Sequence, residues 1–424
     1  MTDTTATLPL AGRDPHGEGR YDIDGRYAWQ RLCISVIIST IGGIGLWSVV
    51  VALPAVEAEF GVDRSDASLP YTATMLGFAI GGVLMGRLAD RFGVRVPLVL
   101  GGAMLGIGYV LASTVGSLWE FMAVQAVFVG MLGSSASFGA LVADVSLWFR
   151  RRRGIAVAIV ASGGYLAGTL WPPLLQYGIE TIGWRSAHVV IGIACAVTMI
   201  PLALLLRRRP PVEDVTAGTG PASAHDRVDA PHLSRTALQV LLVLAGLSCC
   251  IAMAMPQVHL VAYCADLGFG PARGAEMLSL MLGLGIVSRL VSGLLADRIG
   301  GVGILLISSS LQCLALLFYL PFDGLASLYV VSALFGLAQG GIVPSYALIV
   351  RQFFPASEAG FRISLVIMAT IVGMAVGGWL SGVIYDVTGS YQAAFLNGIA
   401  FNLINISIAA WLLLGGRISR TRTA

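Results

Sequence analysis

Twelve apolar runs of about 20 residues each leave this chain very little choice of fold. A helix of that length crosses roughly 30 Å of hydrocarbon, where the backbone must satisfy its own hydrogen bonds. The runs lie at 32–53, 68–88, 97–115, 119–143, 154–176, 187–206, 236–262, 274–296, 303–320, 326–349, 362–384 and 392–414. Charged residues make up only 12% of the 424, against 56% hydrophobic, about half the charged share of a soluble domain. The expected class is therefore an all-α membrane protein with twelve transmembrane helices and the lipid bilayer as its surroundings.

Charge sets the orientation. All 26 basic residues are arginines. If both termini are cytoplasmic, 22 of them fall in loops and tails on that side, and only Arg64, Arg185 and Arg273 on the other. Basic residues accumulate on the cytoplasmic side, so that topology is the expected one. A stretch rich in Arg, Pro, Asp, Ser and Gly interrupts the series after six runs. The expected organisation is an N-terminal tail over 1–30, a six-helix bundle over 31–206 and a cytoplasmic linker over 207–235. A second six-helix bundle over 236–414 and a tail over 415–424 follow. The polar, acid-bearing residues 1–30 do not suit a cleaved signal peptide. The six cysteines lack metal-ligand spacing and read as small core residues.

The remaining arginine, Arg289, lies deep in the run MLSLMLGLGIVSRLVSGLLA (277–296), with no carboxylate within a turn of it on its own helix. An arginine at mid-membrane costs about 2.5–3.5 kcal/mol on insertion scales, so it is expected to face a polar interior and mark a pathway. Unneutralised, it is a receptor for an anion that arrives and leaves.

An internal repeat supplies the architecture. GRLADRFG (86–93) follows the second run and GLLADRIG (293–300) the eighth, about half the chain apart. That offset implies two pseudo-symmetric six-helix halves. Gly86, Leu88, Asp90, Arg91 and Gly93 resemble the signature loop of the major facilitator superfamily, and Gly293, Leu295, Asp297, Arg298 and Gly300 repeat it. The resemblance implies the major facilitator fold, with Asp90, Arg91, Asp297 and Arg298 in a cytoplasmic gate. On the plainer reading the loop is a tight turn that helps orient the chain.

Further stretches point to a narrower group. WFRRRRGIAVAIVASGGYLAG (148–168) resembles the entry to the fifth helix in monocarboxylate transporters and oxalate/formate-type antiporters. PQVHLVAYCADLGFG (256–270), QGGIVPSYALIVRQFFP (339–355) and YDVTGSYQAAF (385–395) look like the same bacterial group. The resemblance implies a bacterial inner-membrane location, and it aligns Arg289 with the arginine that binds the substrate carboxylate. The departures are specific. Ile41 stands where the first-helix motif begins with an acid, and Gly285 where animal carriers have an aspartate. The eleventh run has no basic residue, which favours a monoanion over a dianion.

Trp47, Tyr165, Tyr346 and Trp379 are candidates to line the substrate cavity, where an aromatic offers an apolar wall with a polar edge. Helix packing alone accounts for each singly. His259 titrates in the physiological range when solvated and is the coupling candidate; a hydrogen-bonded core histidine is the alternative. Asp144 with the Arg150–Arg153 run, Arg151 in particular, reads as part of the cytoplasmic gate, or as an orientation signal. Ser134, Ser135 and Ser137 form a small-residue face. Gly163, Gly164, Gly168 and the Pro172–Pro173 pair suggest a bendable fifth helix.

No spacing suggests catalysis, a metal site, a cofactor or nucleic-acid binding, and no nucleotide-binding loop is present in the sequence. The expectation is a monomeric secondary transporter, not an enzyme. It would move a small organic monocarboxylate anion, with protons or a second anion as the coupled species. The alternative is a proton-coupled exporter of drugs or metabolites, weakened because Glu120, Asp144, Glu276 and Asp386 all fall near the ends of runs. A transport-inactive anion receptor is the third reading, without a recognisable partner domain to support it.

Overall fold

The computed structural model describes residues 23–208 and 234–422; most of the expected first tail and linker lie outside them. Among the described residues, twelve helices are long and apolar enough to cross a membrane. In the first half they are α1 (Arg26–Phe60), α2 (Arg64–Phe92), α3 (Arg95–Ala112), α4 (Leu118–Trp148), α5 (Arg153–Ile182) and α6 (Trp184–Leu205). In the second they are α7 (Arg235–Asp266), α8 (Pro271–Ala296), α9 (Arg298–Phe318), α10 (Leu325–Phe353), α11 (Glu358–Thr388) and α12 (Tyr391–Leu414). There is no strand among the described residues. One end of the bundle carries Arg26, Arg95, Arg153, Arg208 and Arg235 and is called the basic end here; the other is the far end.

Several helices outrun their apolar cores. α1 begins at Arg26, and its last turn holds Glu57 and Glu59. Hydropathy marks only the part inside hydrocarbon, whereas a helix continues wherever its backbone bonds are satisfied.

Two buried clusters hold the fold. One lies entirely in the first half and includes Leu32, Leu98, Tyr109, Trp148, Val160 and Met199. The other runs from α1 and α2, through Val50, Leu53 and Tyr71, into Leu242, Val258, Leu278, Phe335 and Phe395 of the second half. Close approach uses small residues, because lipid gives apolar side chains no reason to prefer each other. A Cβ on Gly77 or Gly81 of α2 would sit 2.2 or 2.0 Å from a carbonyl oxygen of α4. The second half repeats the device, with Gly336 and Gly340 of α10 over carbonyls of α8 at 2.2 and 2.3 Å.

The repeated loop is a repeated conformation. Gly93 has φ 83° and ψ 161°, and Gly300 has φ 75° and ψ 167°. An L-residue with a side chain is strained there, which explains glycine at the end of both copies.

Four helices are irregular near mid-membrane. α1 breaks at Gly43, between Arg26–Gly42 and Ile44–Phe60. α4 passes through a π-helical stretch, Gln125–Gly133, and a 3₁₀ turn, Ser134–Ser137. α10 breaks at Gly340 and Gly341. α5 breaks at Ser162, between Arg153–Ala161 and Gly163–Ile182. The expectation of a bend in α5 is thus met at Ser162, while Pro172 and Pro173 lie within continuous helix. The small-residue face of α4 serves packing: Gly45 of α1 lies against Ser134, and Gly42 against Ser137.

Candidate functional site

Arg289 stands on α8 and reaches across to the first half. Its Nη1 donates to the carbonyl of Ala161 at 3.0 Å, at the break in α5. Its guanidinium lies 4.4 Å from the centre of the Tyr165 ring, a cation–π contact. Nε is buried and has no partner, Nη2 makes no hydrogen bond among the described residues, and no carboxylate pairs with Arg289 there. The Nε–Nη2 edge of a guanidinium is a planar fork that matches a carboxylate with two parallel hydrogen bonds. That edge is free.

Glycines place this arginine. A Cβ on Gly340 would come within 2.6 Å of the Arg289 backbone nitrogen, so α10 packs directly against α8 at this level. A Cβ on Gly285, one turn before Arg289, would meet the Tyr165 ring at 2.5 Å. The position where animal carriers hold an aspartate is therefore occupied sterically by Tyr165. Next to it, Gln339 of α10 accepts from Gln257 Nε2 of α7 and leaves its own Nε2 buried without a partner. Two unused donors, Arg289 Nε and Gln339 Nε2, lie in one neighbourhood. Gln257 and Gln339 lie within two of the stretches that resemble the monocarboxylate-transporter group, but nothing in the sequence picked out the two glutamines themselves.

The other aromatic candidates divide. Trp47 of α1 donates to Gly164 O of α5 at 3.3 Å and packs against Gly168, at the same junction as Tyr165. Tyr346 is fully buried and donates to Asn405 Oδ1 at 2.9 Å, inside the second half. Trp379 is 39% exposed on α11, with no hydrogen bond to Arg289.

His259 of α7 is fully buried toward the far end. Its Nε2 lies 2.7 Å from Gly378 O of α11 and its Nδ1 lies 3.1 Å from Tyr391 Oη of α12. A neutral ring that donates from Nε2 and accepts at Nδ1 satisfies both contacts. Tyr391 in turn accepts from Arg64 Nη1 at 2.7 Å.

Arg64 centres a far-end network between the halves. Its guanidinium contacts Glu57 at 2.7 Å in its own half and Asp266 of α7 at 3.1 Å, and it lies 4.8 Å from the Tyr385 ring centre. Asp386 of α11 accepts the N–H groups of Arg64 and Ser65 at 3.0 and 2.8 Å, capping α2 with an acid from the other half. Sequence reading placed Arg64 only as an orientation marker. Glu57 lies nearby in sequence, but the partners of Arg64 in the other half are 202 and more residues away, and no local signal names them.

At the basic end the expected gate residues are apart. Asp90 and Arg91 are exposed, and Asp90 makes no hydrogen bond or ion pair among the described residues. Arg298 is exposed, and the side chain of Asp297 lies outside the described ones. Asp144 does not meet Arg151. It is buried and accepts from Arg31 Nε and Nη2 at 2.7 and 2.8 Å, tying α4 to α1 within the first half. Arg31 also stacks 4.9 Å over Trp148. The backbone N–H of Arg151 donates to Asp24 at 3.1 Å.

The profile of the Major Facilitator Superfamily matches residues 35–327 and 277–423. The chain is 27% identical over 342 residues to Monocarboxylate transporter 13 of Bos taurus, covering 80% of this chain and 77% of that protein. It is 25% identical over 359 residues to the MFS-type transporter opdF of Penicillium oxalicum, covering 82% and 81%. Among solved structures, a bacterial homolog to the human lysosomal transporter Spinster, in an inward-facing and unoccupied conformation, superposes with a TM-score of 0.70. That match covers 92% of this chain and 97% of the other at 13% identity, a likeness of fold alone.

Proposed function

The chain belongs to the Major Facilitator Superfamily, a family of transporters, and we propose that its cargo is a small organic monocarboxylate anion moved by alternating access. One observation carries this reading: the free Nε–Nη2 edge of the half-buried Arg289, whose Nε is buried without a partner and which has no counter-charge among the described residues. The anion pairs with that edge, Tyr165 and Trp47 wall the site, and Gln339 offers a second donor. Tyr346 and Trp379 act in support of the second half. The similarity to a protein named Monocarboxylate transporter 13 supports the cargo class. The basic end is cytoplasmic, the Arg64 network closes the outer side, and the conformation faces inward.

Counterflow of labelled acetate, lactate or pyruvate in proteoliposomes tests the cargo. Arg289→Ala is expected to abolish counterflow while the protein inserts normally. Arg289→Lys loses most of it, since an ammonium does not reproduce the fork. Wild-type uptake by Arg289→Ala overturns the proposal.

Coupling is by anion exchange, which needs no proton on the protein, or by proton symport through His259. A pH gradient imposed on vesicles with no internal anion separates the two. Accumulation that depends on His259 supports symport, and none supports exchange. Accumulation that survives His259→Gln rules out both.

A further inference from the structure

A cavity of about 570 Å³ opens at the basic end of the first half, between the start of α3 and the end of α6. Its back wall is the Arg31–Asp144 pair. Both oxygens of Asp144 accept from Arg31, so the carboxylate is spent. Arg95, Arg207 and Arg208 line the front, exposed, and none forms an ion pair among the described residues. Arg207 gives only its Nε to the carbonyl of Leu204, and Arg208 lies 4.8 Å over the Tyr27 ring. No side chain caps the N-terminus of α3, so the positive end of that helix adds to the same field.

The remaining wall is apolar. Val96, Val99, Leu100 and Ala103 are spaced i, i+3, i+4 and i+7 on one face of α3. Phosphate alone would use the arginines and leave this stripe without purpose. A lipid uses both, and helix ends are the depth at which headgroups lie.

We propose that this cavity is an anionic phospholipid site, with the phosphate among Arg95, Arg207 and Arg208 and an acyl chain along α3. The bound lipid joins α3 to α6 in front of the buried pair and stabilises the first half. The site is separate from Arg289 and does not depend on the cargo reading.

The test uses the purified full chain in a zwitterionic detergent, with melting temperature and bound lipid, by native mass spectrometry, as readouts. Phosphatidylglycerol is expected to bind and raise the melting temperature, while phosphatidylcholine, inorganic phosphate and glycerol 3-phosphate do not. In Arg95→Gln/Arg207→Gln/Arg208→Gln the affinity falls on the order of 100-fold, at about fivefold per arginine near a headgroup. Val99→Trp, which fills the apolar wall and keeps every charge, also weakens binding. Equal protection by inorganic phosphate makes the cavity a soluble-anion site and overturns the proposal. So does lipid binding that the triple variant leaves unchanged. The chain's own acidic segment is the other occupant to exclude: if wild type binds no lipid but neutralising Glu213, Asp214, Asp226 and Asp229 permits it, the proposal also falls.

Discussion

The two ends of the bundle treat their arginines in opposite ways. At the far end Arg64, Arg185 and Arg273 each meet an acid: Glu57 and Asp266, Glu59, and Glu276. The Arg64 set also crosses from one half to the other. At the basic end Arg95, Arg207 and Arg208 have no acid partner among the described residues. Pairs such as Arg31–Asp144 and Glu358 with Arg235 and Arg362 stay inside one half. A closure between halves needs charges that cancel across the interface. Charges that accumulate without cancelling orient the chain and repel their counterparts, and a neutralised end suits contact while a basic end suits solvent or lipid headgroups.

The sharpest way to break this comparison is Arg64→Ala. It leaves Glu57, Asp266 and Asp386 facing one another without their cation. Removing one member of a buried ion pair costs about 3 kcal/mol at the low end of the usual range, fitting acids that are partly exposed. The ratio of closed to open far ends should fall on the order of 100-fold. Ser68 is fully buried beside the network, so maleimide labelling of Ser68→Cys, with the native cysteines removed, reports it. Labelling that stays at the wild-type level would show that apolar packing, not the ion cluster, holds the end shut.

Asp144→Asn makes the opposite kind of change. It strands the buried Arg31 but touches nothing between the halves. The cost, about 2 kcal/mol, should appear as a lower melting temperature with Ser68→Cys labelling unchanged. A change in far-end labelling would mean that this pair acts on the closure after all. Asp90→Asn should do least. With Asp90 exposed and unpartnered in this conformation, it should alter accessibility by less than about twofold. A larger shift, in either direction, would reveal a contact made by Asp90 in another conformation.

The fold was legible because hydropathy, arginine asymmetry and the duplicated loop each carry their signal within a short stretch. Gly93 and Gly300 even share a backbone conformation that the repeat implied. Arg289 was legible for a similar reason: a charge in an apolar run is conspicuous wherever the helix turns. The aromatic candidates were not, since packing decides which way a helix face points. Tyr346 faces Asn405, whereas Tyr165 faces Arg289. Arg31 and Asp144 lie 113 residues apart, and Arg64 and Asp386 322. Such partners meet only through the assembled tertiary structure.

The breaks in α1 and α5 lie beside one another, and Arg289 links the break in α5 to the one in α10. Gly43 is 3.7 Å from Gly164 when given a Cβ, Gly163 rests on Ser39, and Gly340 rests on Arg289. A jointed rod swings its tips while its joint stays in place. Under the proposed alternating access, Arg289 would sit at a fulcrum: the helix ends would travel to open or shut an entrance while the guanidinium and the groups around it kept their spacing. On the proposed function, an anion held there would have no distance to cover inside the protein, and the two compartments would take turns being connected to it.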